Sequence, residues 1–435
     1  MKAKVLVVCC LTLLQILWAN QSEGKKNVKQ KFGIDQLLPK ETKGAVGLEE
    51  LLQRAKGNYQ LIAKGDAVAK SEAEKMAAYL EFGPTLSASY GYQYQTNPSV
   101  SGNYYGGNSA SLTANWELYS GFSTINKVKQ QSALHRASIA EKQYSEQNLY
   151  LQIIQQYYAY FTNYSNLVSL QQKKKLLQSN VERLQRLYSS GLTTVDDLES
   201  LKAEASLTDY QIAQKELELE QNRLNLSLLT NSRVVQLKRN HLKFPNIKVK
   251  QERADITALK EQAESIGYQK KQLSYAPKIS LYNTFTYNDK FGDDYLRPEH
   301  KIQNVVGVSV SMTLDSFSLY KQREAIGLSQ MQALKELNYK KEEQKKDIAL
   351  YKKSLDIAKI KVKSAEAGLR SALLTFENVS KRYDAQLVNY VDYLNALSQK
   401  FNAEATYVES LNDYELQKAN FVFYSGQDLE KYIER

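Results

Sequence analysis

Pro84-Thr85-Leu86-Ser87-Ala88-Ser89-Tyr90-Gly91-Tyr92-Gln93-Tyr94-Gln95 decides how the chain is read. Leu86, Ala88, Tyr90, Tyr92 and Tyr94 alternate with Thr85, Ser87, Ser89, Gly91, Gln93 and Gln95. A period of two puts the first set on one face of a β-strand and the second on the other. After a Gly/Ser/Asn/Tyr-rich loop, Thr96 to Gly107, the alternation resumes. Ala110, Leu112, Ala114, Trp116 and Leu118 now oppose Ser109, Ser111, Thr113, Asn115 and Glu117. It recurs with Ile279, Leu281, Phe285 and Tyr287 against Lys278, Ser280, Thr284 and Thr286. A fourth copy sets Val306, Val308, Val310, Met312 and Leu314 against Gly307, Ser309, Ser311 and Thr313.

Each segment has the roughly 9–11 residues that a tilted strand needs to cross hydrocarbon. An aromatic and aliphatic face opposed to small polar residues suits a transmembrane barrel with a wet lumen. The same alternation also describes a half-buried sheet of a soluble protein. In lipid, however, four strands leave two open edges, and each unpaired backbone group there costs several kcal/mol. If the strands span a membrane, the chain must pool them with copies of itself.

Elsewhere the chain is helical. Proline and glycine are the residues most costly in helix interiors. No proline separates Gly121 from Pro245, and none follows Pro298. Leu167, Leu170, Leu177, Val181, Leu184 and Tyr188 form a four-three stripe in the first tract, with Lys174 at the missing step. Leu369, Leu373, Phe376 and Tyr383 do the same in the second. That spacing is coiled-coil packing. From Phe122 to Arg186 the first tract would reach roughly 97 Å at about 1.5 Å per residue, so it spans a distance. Leu48 to Glu81 reads as a further helix with Leu48, Leu51, Leu52, Ala55 and Tyr59 on one stripe.

The 435 residues carry a net charge of +11. Lysines alternate with glutamates along the tracts, as in Lys340-Lys341-Glu342-Glu343-Gln344-Lys345-Lys346, which is a solvated helix face and not a nucleic-acid surface. Lys2, Lys4 and the apolar run Val5 to Leu17 read as a signal peptide over 1–19 that holds both cysteines, Cys9 and Cys10. The exported chain then has no thiol chemistry. His135, His241 and His300 are scattered and read as surface residues, and no hydrolase or P-loop spacing occurs. No enzyme activity, cofactor or metal site is expected.

The pattern repeats. Pro84 corresponds to Pro277, Leu118-Tyr119-Ser120-Gly121-Phe122 to Leu314-Asp315-Ser316-Phe317, and Arg186-Leu187-Tyr188 to Lys381-Arg382-Tyr383, at offsets of 193, 196 and 195. The divisions expected are an extended segment over 20–47, a first repeat over 48–232, an equatorial linker over 233–252, a second repeat over 253–425 and a tail over 426–435 with little structure.

With Pro84-Thr85-Leu86-Ser87, the corner Trp116 to Gly121, the turn Tyr188 to Thr194 and its counterpart Tyr383 to Leu394, the chain resembles the TolC-like family of bacterial outer-membrane efflux proteins. The resemblance spans about Leu48 to Leu429. It implies an α+β, mainly helical fold: long antiparallel coiled-coil helices forming a periplasmic α-barrel, plus four transmembrane strands per chain in the 12-stranded barrel of a trimer. The implied function is a passive outer-membrane exit duct of a Gram-negative bacterium, for tripartite efflux or type I secretion of small molecules, metal ions or protein. Its implied partners are a homotrimer, outer-membrane lipid, a periplasmic adaptor and, through it, an inner-membrane pump. A periplasmic coiled-coil adaptor or adhesin without a channel is the competing reading.

The family's second turn carries two acids that ring the periplasmic entrance. Asp392 matches the first and Asn395 replaces the second. Asp197 and Tyr383 match positions that link neighbouring helices in the closed state, whereas the arginine of that link is Val388 here. Thr194-x-x-Asp197 and Asn389-x-x-Asp392 are equally helix-capping spacings. The resemblance further implies adaptor contact at Gly191, Leu192, Thr193 and Leu387, although a leucine at such a turn also suits packing into its own helix pair.

Overall fold

In the computed structural model, residues 44–94, 104–191, 194–248, 251–292, 301–312, 314 and 316–434 are described. The expected signal peptide, most of the 20–47 segment, Leu192, Thr193 and His300 lie outside them. The elements in chain order are α1 (Leu48–Ala55), α2 (Tyr59–Leu80), β1 (Thr85–Tyr94), β2 (Tyr104–Tyr119), α3 (Ser123–Ser189) and α4 (Val195–Thr230). There follow α5 (Ala254–Gln272), β3 (Lys278–Gly292), β4 (Ile302–Ser311), α6 (Ser316–Asp384), α7 (Tyr390–Tyr424) and a 3-10 turn at Leu429–Tyr432. Two compact units result. One takes the chain up to Leu61 with Glu146–Gln251 and Gln344–Arg435; the other takes Ile62–Ser145 and Glu252–Glu343.

The second unit holds one antiparallel sheet in the order β1-β2-β3-β4. Its register keeps chemistry in rows. Ser89, Ser111, Thr286 and Gln303 form one cross-strand row, and Ala88, Leu112, Phe285 and Asn304 the next. The polar face is stitched by Ser89 Oγ to Ser111 Oγ at 2.8 Å and Thr113 Oγ1 to Thr284 Oγ1 at 3.2 Å. On the other face Leu86 is 70% and Val308 65% exposed. All of β1 and all but one residue of β4 are exposed. A soluble sheet hides its apolar face; among the described residues nothing covers this one at β1 and β4.

The strands β2 and β3 are longer than expected. Tyr104 to Gly107, expected in the loop, extend β2 because Lys290 to Gly292 of β3 complete their backbone ladder. Leu118 leaves the alternation at a register shift between Glu117 and Tyr119. Such a bulge bends the strand and raises its twist where it meets α3, through Gly121 and Phe122 at φ of 64° and 68°. A Cβ on Gly121 would lie 3.1 Å from the Ala276 carbonyl oxygen, so glycine is required by space as well as by dihedral.

Helices in this unit meet through small side chains. Ala133, Ala137 and Ala140 of α3, Ala258 and Ala263 of α5 and Ala78 of α2 are all buried. Arg136 bridges to Glu261 at 2.6 Å. His135 is half-buried, with Nδ1 3.0 Å from Ser71 Oγ, and not on the surface as expected. Its imidazole fills the space beside two hydroxyls.

In the other unit α3 changes from alanine to aromatic packing. Tyr150, Ile153, Ile154, Tyr157, Tyr158 and Phe161 are buried. Their tyrosines hold the linker: Asn240 N donates to Tyr157 Oη at 2.8 Å, and Tyr158 Oη donates to the Asn240 carbonyl at 3.1 Å. Glu415 on α7 accepts from the Leu242 amide at 2.9 Å and from Lys418 Nζ at 2.9 and 3.0 Å. Burial opposes ionisation of Glu415, but His241, Lys418 and that amide together hold its carboxyl below the usual range.

Three expectations need correction here. The helix expected over Leu48–Glu81 is two, because Asn58 accepts from Gln60 N at 2.8 Å and restarts the chain as α2. Leu48, Leu51, Leu52 and Ala55 are buried, whereas Tyr59, beyond the break, is exposed. The Lys174 step of the α3 stripe is half-exposed beside Asp209. The buried positions run Ser165, Ser169, Lys173, so the seam is polar there. The segment after Gly426 is ordered: Leu429 is fully buried, Leu242 bridges to Ile433, and Lys243 N donates to the Tyr432 carbonyl at 2.7 Å. A terminal segment orders when its backbone finds such partners. Leu429→Ala should therefore cost about 2–5 kcal/mol, read as a lower midpoint of thermal unfolding.

Candidate functional site

Each helical hairpin of the first unit closes by the same local chemistry. At the end of α3, Gly191 has φ of 70° and its amide donates to the Tyr188 carbonyl at 2.9 Å. At the end of α6, Gln386 has φ of 58°, donates to the Tyr383 carbonyl at 3.0 Å, and is followed by Leu387 N to the Arg382 carbonyl at 2.8 Å. The pair after α6 satisfies its last helical carbonyls in a Schellman motif. The second turn makes it without glycine.

The following helices start with side-chain caps. Thr194 Oγ1 accepts from the Asp197 amide at 3.3 Å, and Asn389 Oδ1 from the Asp392 amide at 2.8 Å. Both aspartates thus sit in the first turn, where the helix dipole favours a negative charge. Asp197 is half-buried; Asp392 and Asn395 are exposed one turn apart on α7. Capping geometry and solvent-facing carboxylates coexist here. One role does not displace the other.

Between the two hairpins lies an apolar cluster of Leu177, Leu184, Leu198, Leu201, Tyr390, Tyr393, Leu397 and Phe401. Tyr383 stacks on Tyr393 at 4.6 Å, and Asn180 Nδ2 donates to Tyr393 Oη at 3.2 Å. The Arg183 guanidinium lies 5.1 Å from the Tyr383 ring centroid and 3.1 Å from Asp384. Burial pushes the Tyr383 hydroxyl's pKa up, with Arg183 working against that and Asp197 adding to it. Arg183 gave no sequence signal, because its partners are about two hundred residues away. The pair is exposed and worth only ~0.2–1 kcal/mol.

Of the residues expected at the tips, the structure brings Asp197 and Tyr383 into one electrostatic neighbourhood and leaves Asp392 and Asn395 facing solvent. Gly191 and Leu387 are exposed, Leu387 at 70%. Val195 and Val391, at the starts of α4 and α7, are exposed too and extend the apolar surface of the turns. Among the described residues no cluster of His, Cys, Asp and Glu is arranged to hold a metal ion.

Residues 51–232 match the outer membrane efflux protein family. No curated protein sequence matches the chain. Among solved structures, the outer membrane protein VceC from Vibrio cholerae is similar with a TM-score of 0.77 at 17% identity, over 88% of this chain and 96% of that one. The CmeC outer membrane channel of Campylobacter jejuni gives 0.76 at 16%, over 88% of each chain. The MtrE outer membrane channel of Neisseria gonorrhoeae, in its open state, gives 0.73 at 15%, over 88% and 89%. At such identities the likeness is one of fold.

The two turns differ in one testable respect. A left-handed conformation costs a non-glycine residue roughly 1–2 kcal/mol, partly offset by about 0.5–1 kcal/mol of glycine's extra entropy loss. Gln386→Gly should raise stability by up to about 1 kcal/mol in denaturant unfolding, whereas Gly191→Gln should lower it.

Proposed function

We propose, for a chain whose residues 51–232 belong to the outer membrane efflux protein family and whose fold is TolC-like, that three copies form an outer-membrane exit duct for efflux or type I secretion. The observation that carries this reading is the sheet. Among the described residues it has an exposed apolar face, a hydroxyl-rich face and two open edges. Lipid would cover the first, water the second, and the β1 and β4 edges of neighbouring copies would pair. Since eight strands is about the smallest barrel, two copies would suffice by counting. The family resemblance selects three and hence twelve strands.

The repeats 48–232 and 253–425 would each supply two strands and one helical hairpin, and the linker 233–252 a girdle around the helices. Among the described residues no helix is long and apolar enough to cross a membrane. By the family resemblance the hairpins would lie in the periplasm, with most of the mass. Their turns would form the entrance, with Asp392 and Asn395 lining it and Asp197 and Tyr383 restraining it. The exposed apolar side chains of the tips, Leu387 with Gly191, Leu192 and Thr193, would meet a periplasmic adaptor that connects to an inner-membrane pump. The duct would bind no cofactor and catalyse nothing, since the pump supplies the energy and chooses the cargo.

A water-soluble adaptor or adhesin is disfavoured by the same uncovered face, which would aggregate in the periplasm. Outer-membrane fractions should show a heat-modifiable trimer band in detergent. Release of a monomer by carbonate alone would overturn the duct. In planar bilayers, Asp392→Ala should weaken cation preference and change conductance; an unaltered reversal potential would remove Asp392 from the entrance.

A further inference from the structure

Glu404 occupies a core position on α7, at 5% exposure, between two apolar clusters of the helical seam. On its tip side lies the cluster of Leu177, Leu184, Tyr390, Tyr393, Leu397 and Phe401. On the other side lies a separate cluster of Leu369, Tyr407 and Val408. Facing Glu404, α3 presents the buried Ser169, with the buried Ser165 one turn beyond it. The Ser165 hydroxyl has no hydrogen-bond partner, and Ser169 Oγ reaches Glu404 Oε2 only at 3.4 Å. Lys400 Nζ stands 3.8 Å from Glu404 Oε1 and rests over the rings of Phe376 and Phe401. This carboxylate is buried and poorly matched. An isosteric apolar residue would join the two clusters into one.

We propose that the Glu404 layer is a proton-sensitive break in the seam, at which the tip half of the bundle loosens independently of the half beyond it. Water has a way in, because Ser169, Phe401 and Ala405 also line a groove of about 580 Å³ between α3, α4 and α7. Charged groups on the packed elements near this layer include four ion pairs of their own. Lys173 on α3 pairs with Glu204 on α4 at 2.6 Å, Lys215 on α4 with Glu218 at 2.6 Å, Glu366 on α6 with Arg370 at 3.7 Å, and Glu377 on α6 with Lys381 at 2.7 Å. Among the described residues, Lys400 is the charged group that opposes the burial of Glu404.

The sign follows from burial. Burial raises the carboxyl's pKa, and Lys400 and Ser169 only partly oppose it. The packed seam therefore prefers the neutral acid, and a hydrated seam prefers the carboxylate. The stabilisation is complete below the ordinary glutamate range and is lost as pH rises through the elevated value. If the duct reading holds, the consequence is an entrance that loosens as pH rises. The break itself is a property of the bundle and does not depend on that reading.

The test is amide hydrogen exchange on the full chain in detergent, corrected for intrinsic rates, between about pH 5 and about pH 8. Protection over residues 390–401 should fall several-fold with rising pH, while residues 407–420 hold theirs. Glu404→Gln should abolish the pH dependence, and Glu404→Leu should bring the tip side up to the protection of the other half. The proposal is overturned if Glu404→Gln keeps the wild-type pH profile, if both halves exchange alike at every pH, or if Glu404→Leu leaves tip protection unchanged. A monomeric chain with the pH profile intact would sink the duct and leave the break standing.

Discussion

A sheet with an apolar face that its own chain does not cover is the constraint on which the rest depends. Leu86, Tyr90, Val308 and Val310 face outward, and behind them Ser111, Thr113, Thr284 and Thr286 of the central strands are half-buried. Hydrophobic burial dominates folding, so a large face left bare must be covered by something else. Backbone edges impose the same demand through hydrogen bonding, since the outer groups of β1 and β4 have no partner strand among the described residues. Both requirements are left open within the described residues, one for an apolar surrounding and one for a further strand.

The helical hairpins meet a different requirement, which is to reverse a long rod within a few residues. Both do it with a left-handed residue that ends one helix and a capped residue that starts the next. Gly191 meets the first need without a steric penalty. Gln386 meets it with one, so the second turn is held by its surroundings more than by its own preference. Those surroundings are aromatic: Tyr383, Tyr390 and Tyr393 pack under the turn, and Arg183 lies against the first of them.

Polar groups interrupt the helical packing at defined heights. Lys173 with Glu204, Glu404 with its serines, and Glu415 with Lys418 and the linker are all largely buried. The last is fully paired and fastens the linker to α7. Glu404 is the least well matched. A buried charge that is hydrogen-bonded fixes register, while one that is not marks where packing is weakest.

The strands, the long helices, their repetition and the two turns could all be read from the chain, because each depends on local periodicity or on the cost of proline and glycine at a given dihedral. Asn389 and Thr194 announced their caps by spacing alone. The break at Asn58, the polar run Ser165, Ser169, Lys173 in α3, the ordered end at Leu429 and the approach of Arg183 to Tyr383 were not legible. Beyond the local bond between Asn58 and Gln60, each depends on partners between about thirty and two hundred residues away. Sequence by itself determined which faces exist and where the chain reverses, since those are set by neighbouring side chains and backbone sterics. Only the tertiary structure decided which faces are covered and which are left bare, because burial is a property of what distant segments bring together.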